Sequence, residues 1–248
     1  ESRRMVLTDR DVFPPGTIVP NGLKTYGEEK AKAVSYAATA ARAAGSPLLS
    51  VLEQFMADEG GTYYSYEDLH FYEEGGVGIN IRGESVLLGS EYFMKKQGIR
   101  LPRESKVKTG VFLAVDGQLV AIFAVKYQPM RNVEWGLRTL HRTRMEPVLA
   151  VRSFNITTEM LKKSFSVRFK AIYPDISTRL ALSDLSGEVA PRSDAILYRE
   201  GLMPFAETVI CSRRCYRMVR WSTILCWLGS LCGLLLSYYL TGVAAYGA

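Results

Sequence analysis

Cysteine and histidine are scarce in this 248-residue chain, and their placement excludes more than their number does. The four cysteines, Cys211, Cys215, Cys226 and Cys232, all fall in the last fifth, so no disulfide framework holds the rest of the chain together. Cys211 and Cys215 are spaced i, i+4 on a predicted helix, but they read as buried or membrane-edge thiols before metal ligands. His70 and His141 are too far apart in pattern to form a metal pair and read as solvated or hydrogen-bonded imidazoles. No signal peptide, internal repeat or low-complexity tract is visible, and a start at Glu1 reads as a piece of a longer protein. With 48% hydrophobic and 23% charged residues, disorder is excluded, and there is room for one large domain or two small ones.

Charge is absent altogether from Trp221 to Ala248. The run from Trp221 to Leu240 is long enough to cross a hydrocarbon layer of roughly 30 Å, which takes about 20 residues. It predicts a transmembrane helix, since a core helix this uniformly apolar would need protein on every side. Arg213, Arg214, Arg217 and Arg220 stand just before it, so the positive-inside rule predicts residues 1–220 on the cytoplasmic side. These arginines make membrane lipid the expected partner and supply four of the positive charges behind the net +6, leaving no call for nucleic acid. Gly229 and Gly233 form a small-xxx-small pair that permits close helix packing.

Further back, Arg4 to Thr8 reads as a strand entering a loop at Asp9, after which Pro14, Pro15, Gly16, Pro20 and Gly22 forbid a helix. Alanine-rich Glu28 to Ala44 predicts a helix stopped by Gly45, and Ser46-Pro47 supplies an N-cap and first-turn proline for a second helix through Met56. Gly75 to Leu88 holds two β-rich runs joined by Arg82-Gly83-Glu84, and a short helix follows from Glu91 to Gln97. Val111 to Val115 and Leu119 to Val125 are strands separated by the turn Asp116-Gly117. Val133 to Thr143 as helix, Pro147 to Val151 as strand and Thr157 to Ser164 as helix give the alternation of a parallel sheet. The pattern is that of one domain, 1–27 and 124–210, interrupted by another, 28–123, and followed by a juxtamembrane and transmembrane segment, 211–248.

The stretch from Tyr72 to Met94, with Gly76-Val77-Gly78 and Val86-Leu87-Leu88-Gly89, resembles the nucleotide-domain core of heavy-metal-type P-type ATPases. Val111 to Ala124 resembles the strand pair leading back into their phosphorylation domain, and Ser193 to Met203, before Arg213-Arg214 and the span, resembles the exit into the membrane. The resemblance covers most of residues 5–240. It implies an α/β fold: a haloacid-dehalogenase-like Rossmannoid phosphorylation domain interrupted by a nucleotide-binding-type domain of antiparallel sheet and helical hairpin. It also implies ATP and Mg²⁺ as cofactors.

In that family an aspartate at the end of the first strand attacks the γ-phosphate, and Asp9 takes that place. Asp9-x-Asp11 is equally the first motif of haloacid-dehalogenase-type phosphatases, in which the second aspartate is a general acid/base, or a capped acidic loop. Asp9 and Asp11 are therefore the candidate catalytic residues and, with Asp184, the candidate Mg²⁺ ligands. Asp184 lies in Ser183-Asp184-Leu185-Ser186-Gly187, the nearest text to the family's metal-binding Gly-Asp-Gly-x-Asn-Asp. Val151-Arg152-Ser153 stands for Thr-Gly-Asp, Ser177 for the phosphate-binding lysine, and Gln128-Pro129 for Asp-Pro. Gly76, Gly78 and Gly89 keep the glycines of the nucleotide cleft, and Ser46-Pro47 keeps half of Ser-x-His-Pro; all five are candidate nucleotide contacts.

Phosphoryl transfer needs several of these groups at once, because positioning and charge stabilisation carry nearly all of its rate enhancement. The expectation is a membrane-tethered, ATPase-shaped protein of degenerate type, a nucleotide-sensing or regulatory scaffold. The alternative is an enzyme: a divergent cation-transporting ATP hydrolase, or a phosphatase using Asp9 and Asp11.

Overall fold

Met5 and Leu7 are buried while Arg4 and Val6 are exposed, so β1 (Arg4–Thr8) presents one apolar face, and in the computed structural model it pairs in parallel with β8 (Glu146–Ala150). The structure describes residues 4–102, 109–167, 170–184 and 201–247. Among them the parallel sheet consists of these two strands and a bridge from Val148 to Ile172, a smaller layer than the Rossmannoid domain expected from the sequence. Most of the Ser193 to Met203 block lies outside the described residues. The chain divides into two units, Glu1–Met203 and Pro204–Ala248.

The larger sheet of the first unit is antiparallel and six-stranded. Its order is β2 (Ile18–Thr25), β7 (Gln118–Tyr127), β6 (Gly110–Val115), β5 (Glu84–Gly89), β4 (Gly76–Ile81) and β3 (Glu67–Tyr72). Arg82-Gly83 turns β4 into β5 and Asp116-Gly117 turns β6 into β7, each pair with both φ angles positive, the twist that two-residue hairpins prefer. The Asp116 Oδ1 also accepts from Ser85 N at 2.9 Å while Asp116 N donates to the Ser85 carbonyl at 2.9 Å, tying the turn to the next strand.

A helical hairpin, α2 (Lys30–Ala43) and α3 (Leu49–Glu59), packs against this sheet. Every residue of α2 from Ala33 to Ala41 is buried, which alanine makes sterically feasible on all sides of one helix. Its serine and threonine serve the segment after α3: the Ser35 and Thr39 hydroxyls accept from Thr62 N (3.0 Å) and Tyr64 N (3.2 Å). A separate apolar cluster gathers Phe93 and Met94 of α4 (Glu91–Lys96) with Phe112, Ala114 and Ile122. Behind the sheet in sequence come α5 (Arg131–Arg142) and α6 (Thr158–Phe165), both as the apolar spacing predicts.

Three expectations are corrected. β2 is absent from the sequence reading, because Pro20 and Gly22 interrupt it; the strand accommodates them as a sheet edge, with its register shifting between the two. Residues 18–25 and 124–127 therefore pair within the six-stranded sheet, which reaches past both boundaries drawn for the inserted domain. The second hairpin helix begins at Leu49, with Ser46-Pro47 in the preceding turn.

The second unit carries most of α8 (Leu202–Tyr246), a continuous 45-residue helix that begins before the boundary expected at residue 211. It is the one helix among the described residues that is long and apolar enough to cross a membrane, and large side chains such as Trp227 and Tyr238 stand exposed along it.

Asp116→Ala removes the bond to Ser85 N and places a Cβ-bearing residue without a local hydrogen bond at a left-handed φ of 47°. It is expected to cost about 1–3 kcal/mol. Asp116→Gly should recover part of that loss, as read from urea midpoints.

Candidate active site

Because β1 and β8 run in parallel and end in register at Thr8 and Ala150, the residues that follow each strand meet at one edge. There Asp9, only 7% exposed, turns its carboxylate inward: Oδ2 accepts from Arg152 N at 2.8 Å and Oδ1 from Ser153 N at 3.0 Å. Burial pushes the Asp9 carboxyl above its ordinary range, outweighing those two amide bonds and the Arg152 charge, which act in the opposite sense. Asp11 is engaged locally. Its Oδ2 accepts from Thr8 N (2.7 Å) and the Thr8 hydroxyl (2.8 Å), closing a box over the one-turn helix α1 (Asp9–Val12).

Asp184 follows α7 (Ile176–Ser183) as its C-cap, its amide donating to the Leu180 carbonyl at 3.1 Å. Among the described residues no three His, Cys, Asp or Glu side chains gather at metal-binding distance. With Asp9 held by backbone donors and Asp11 by Thr8, the described residues do not fit Mg²⁺.

Two guanidinium groups enter the region instead. Arg152 donates from Nε to Ser183 Oγ at 2.8 Å, and its Nη1 lies so close to Gly45 that a Cβ there would stand 2.6 Å away. Arg179, 2% exposed, donates from Nη1 to the Tyr173 hydroxyl at 2.6 Å and, at a long 3.4 Å, to the Val151 carbonyl. Its guanidinium also lies 4.4 Å from the centre of the Tyr173 ring. The sequence directs attention to Ser177, whose hydroxyl caps through Asp175; the cation stands two residues later, and its signal is one arginine alone in the otherwise uncharged Ile176 to Ser183. Nearby, the Tyr127 hydroxyl, Ser153 Oγ and Asn155 Nδ2 are buried and find no hydrogen-bond partner among the described residues. Burial drives the Tyr127 phenol up to about 12, although Ser153 and Asn155 are near enough to pull in the other direction.

The glycines at 76, 78 and 89 have a packing reason of their own. Gly76 and Gly89 are cross-strand partners, and a Cβ on either would come within 2.3 Å of the Phe93 ring. A Cβ on Gly78 would meet Tyr72 and Leu87 at 3.1 Å, and the Tyr72 and Phe93 rings lie 5.0 Å apart. Ser46 is buried, with Oγ accepting from Leu48 N at 3.3 Å, and the Pro47 carbonyl accepts from Ser50 Oγ at 3.2 Å. What unites these positions is the segment 151–155. It holds Asp9, reaches Gly45 beside Ser46-Pro47 through Arg152, and reaches Gly75 beside Gly76 through Phe154, whose Cβ would stand 3.2 Å from a Cβ on Gly75. Gly78 lies against Tyr72 and Leu87, and Gly89 against Phe93 and the Gly75 carbonyl.

No protein-family model and no curated protein matches the sequence. Solved structures do. The catalytic domain of the CPx-ATPase CopB-B, whose conformation changes upon nucleotide binding, is similar at 12% identity and a TM-score of 0.45, over 70% of this chain and 61% of that one. The N-domain of HMA8, a copper-transporting P-type ATPase, is similar at 18% identity and a TM-score of 0.36, over 44% of this chain and 99% of that one. A zinc-transporting PIB-type ATPase is similar at 14% identity and a TM-score of 0.37, over 68% of this chain and 29% of that one. The chain thus spans about 61% of the CopB-B domain's length.

Two outcomes are expected. Since burial raises Asp9 in the folded state above its ordinary 3.8, the folded chain holds that proton to higher pH than the unfolded chain. The stability of the wild type relative to Asp9→Asn should be constant below pH 3.8, fall as pH rises through the folded-state value, and level off above it. Urea midpoints collected across pH give that profile. Gly76→Ala should destabilise by about 1–3 kcal/mol through overpacking, and Phe93→Leu in the same chain should recover part of the melting temperature lost.

Proposed function

We propose that the chain is a membrane-tethered, P-type-ATPase-like protein of degenerate type, a nucleotide-sensing or regulatory scaffold. The observation that carries this reading is the state of Asp9. A carboxylate that attacks phosphorus must be ionised, directed at the nucleotide and flanked by groups that neutralise the transferring charge. Asp9 is buried, its carboxyl pushed above its ordinary range by that burial, and it is engaged through both oxygens by backbone amides. Asp11 closes a local cap, and Mg²⁺ finds no fitting set of ligands among the described residues.

Nucleotide binding enters this reading through the motifs that resemble the nucleotide-domain core, Gly76-x-Gly78, Gly89 and Ser46-Pro47. ATP is the nucleotide it assigns to these residues, of which Ser46-Pro47 and Gly76 directly follow Gly45 and Gly75, the residues that Arg152 and Phe154 approach. The uncharged part of α8, preceded by Arg213, Arg214, Arg217 and Arg220, supports tethering to an anionic membrane with residues 1–220 on the cytoplasmic side.

The enzyme reading, a divergent cation-transporting ATP hydrolase or a phosphatase using Asp9 and Asp11, is favoured by the place of Asp9 at the carboxyl end of a parallel strand. Incubation of the full chain with Mg²⁺ and γ-labelled ATP separates the two. The scaffold leaves no acid-stable phosphoprotein; labelling that disappears in Asp9→Asn, or Mg²⁺-dependent phosphate release abolished by Asp9→Ala, establishes the enzyme.

A further inference from the structure

The four cysteines of α8 are free and exposed, and they fall on either side of the point where charge ends. Cys226 and Cys232 lie inside the uncharged part that begins at Trp221. Cys211 and Cys215 lie before it, and a rise of about 1.5 Å per residue sets them roughly 15 and 9 Å along the helix from Trp221. A hydrocarbon layer that starts at Trp221 leaves this first pair at the level of the headgroups and the water just beyond.

The helix also sorts the thiols from the charges around its axis. At about 100° per residue, Cys211 and Cys215 share one face, Arg214 lies on its flank, and Arg213, Arg217 and Arg220 lie roughly 140–180° away. Met218 and Ser222 continue the thiol face toward the apolar part, so no charged side chain stands on that path. The arginines carry a second, separate implication. No Asp or Glu follows Glu207 in the sequence, and four guanidinium groups between Arg213 and Arg220 draw anions to the level where the thiols stand.

We propose that Cys211 and Cys215 are S-acylation sites, modified by a long-chain acyl-coenzyme A that the arginines hold at the membrane surface. This rests on the membrane-tethered reading of α8. The donor meets both features at once, because its chain enters the apolar layer while its anionic carrier stays among the guanidinium groups. The cysteine sulfur, its proton given to water, attacks the acyl carbonyl carbon and forms a new thioester. The bond from that carbon to the carrier sulfur breaks, the carrier leaves with the electron pair and takes up a proton, and nothing is oxidised or reduced. Cys226 and Cys232 stay unmodified, because a charged carrier does not follow them into hydrocarbon.

The test uses the full chain in phosphatidylcholine vesicles, incubated at neutral pH with alkynyl-palmitoyl-coenzyme A and read by coupling to a fluorescent azide. Label that neutral hydroxylamine releases, as it does from thioesters, is expected on the wild type and equally on Cys226→Ser combined with Cys232→Ser. Cys211→Ser combined with Cys215→Ser should fall to background, and Arg213→Gln combined with Arg217→Gln should label at least roughly fivefold more slowly. Adding Ser65→Cys, an exposed position in the first unit, to the variant without Cys211 and Cys215 should restore no label. Label that survives the loss of Cys211 and Cys215, equal labelling of a thiol at position 65, or an unchanged rate without the two arginines overturns the proposal. Alkaline carbonate extraction reads the tether on its own. A chain that leaves the vesicles overturns both readings, whereas a retained chain without label overturns the acylation alone.

Discussion

The carboxylate of Asp9, held between the amides of Arg152 and Ser153, is the interaction on which the arrangement of the first unit's ends depends. Two parallel strands form a weak sheet by themselves, and the side chain bridges their carboxyl ends where the ladder stops. Once that bridge is made, the direction of the segment 151–155 is set. Arg152 then falls on Gly45 and Ser183, and Phe154 falls on Gly75. Asp9 thus fastens the loop that follows β8 to the end of β1.

Close packing also governs the six-stranded sheet. Gly76, Gly78 and Gly89 are small because Phe93, Tyr72 and Leu87 lie against the backbone there, and the glycines are as necessary for that as for any ligand. Asp11 follows the same logic, since its carboxylate completes a cap with Thr8.

Much of the fold was legible. The turns Arg82-Gly83 and Asp116-Gly117, α5, α6 and β8 follow directly from turn chemistry and apolar period, because each depends on neighbours close in sequence. β2 was hidden because proline and glycine argue against a strand unless it is known to be an edge, which is a property of the sheet and not of the segment. β3 was hidden for a similar reason, as an outer strand whose half-exposed residues show no clear apolar face. At the site, the position of Asp9 could be read, but its hydrogen bonds could not: Arg152 and Ser153 are 143 and 144 residues away along the chain. Arg179 escaped because a fixed motif spacing looked for the cation at Ser177, whereas a helix brings in whatever charge its buried side carries.

The continuity of α8 has a mechanical meaning. Forty-five residues make a rod of about 68 Å, and its uncharged part from Trp221 onward accounts for little more than half of that. The stretch from Leu202 to Arg220, roughly 28 Å long, is left as a stiff spacer continuous with the apolar part. Past Pro204 in the first turn no proline interrupts the helix, so tilt and rotation of the apolar end pass to the spacer without slack. A helix of this kind gauges distance: lengthening it by one residue would advance its far end by about 1.5 Å and turn it by about 100°.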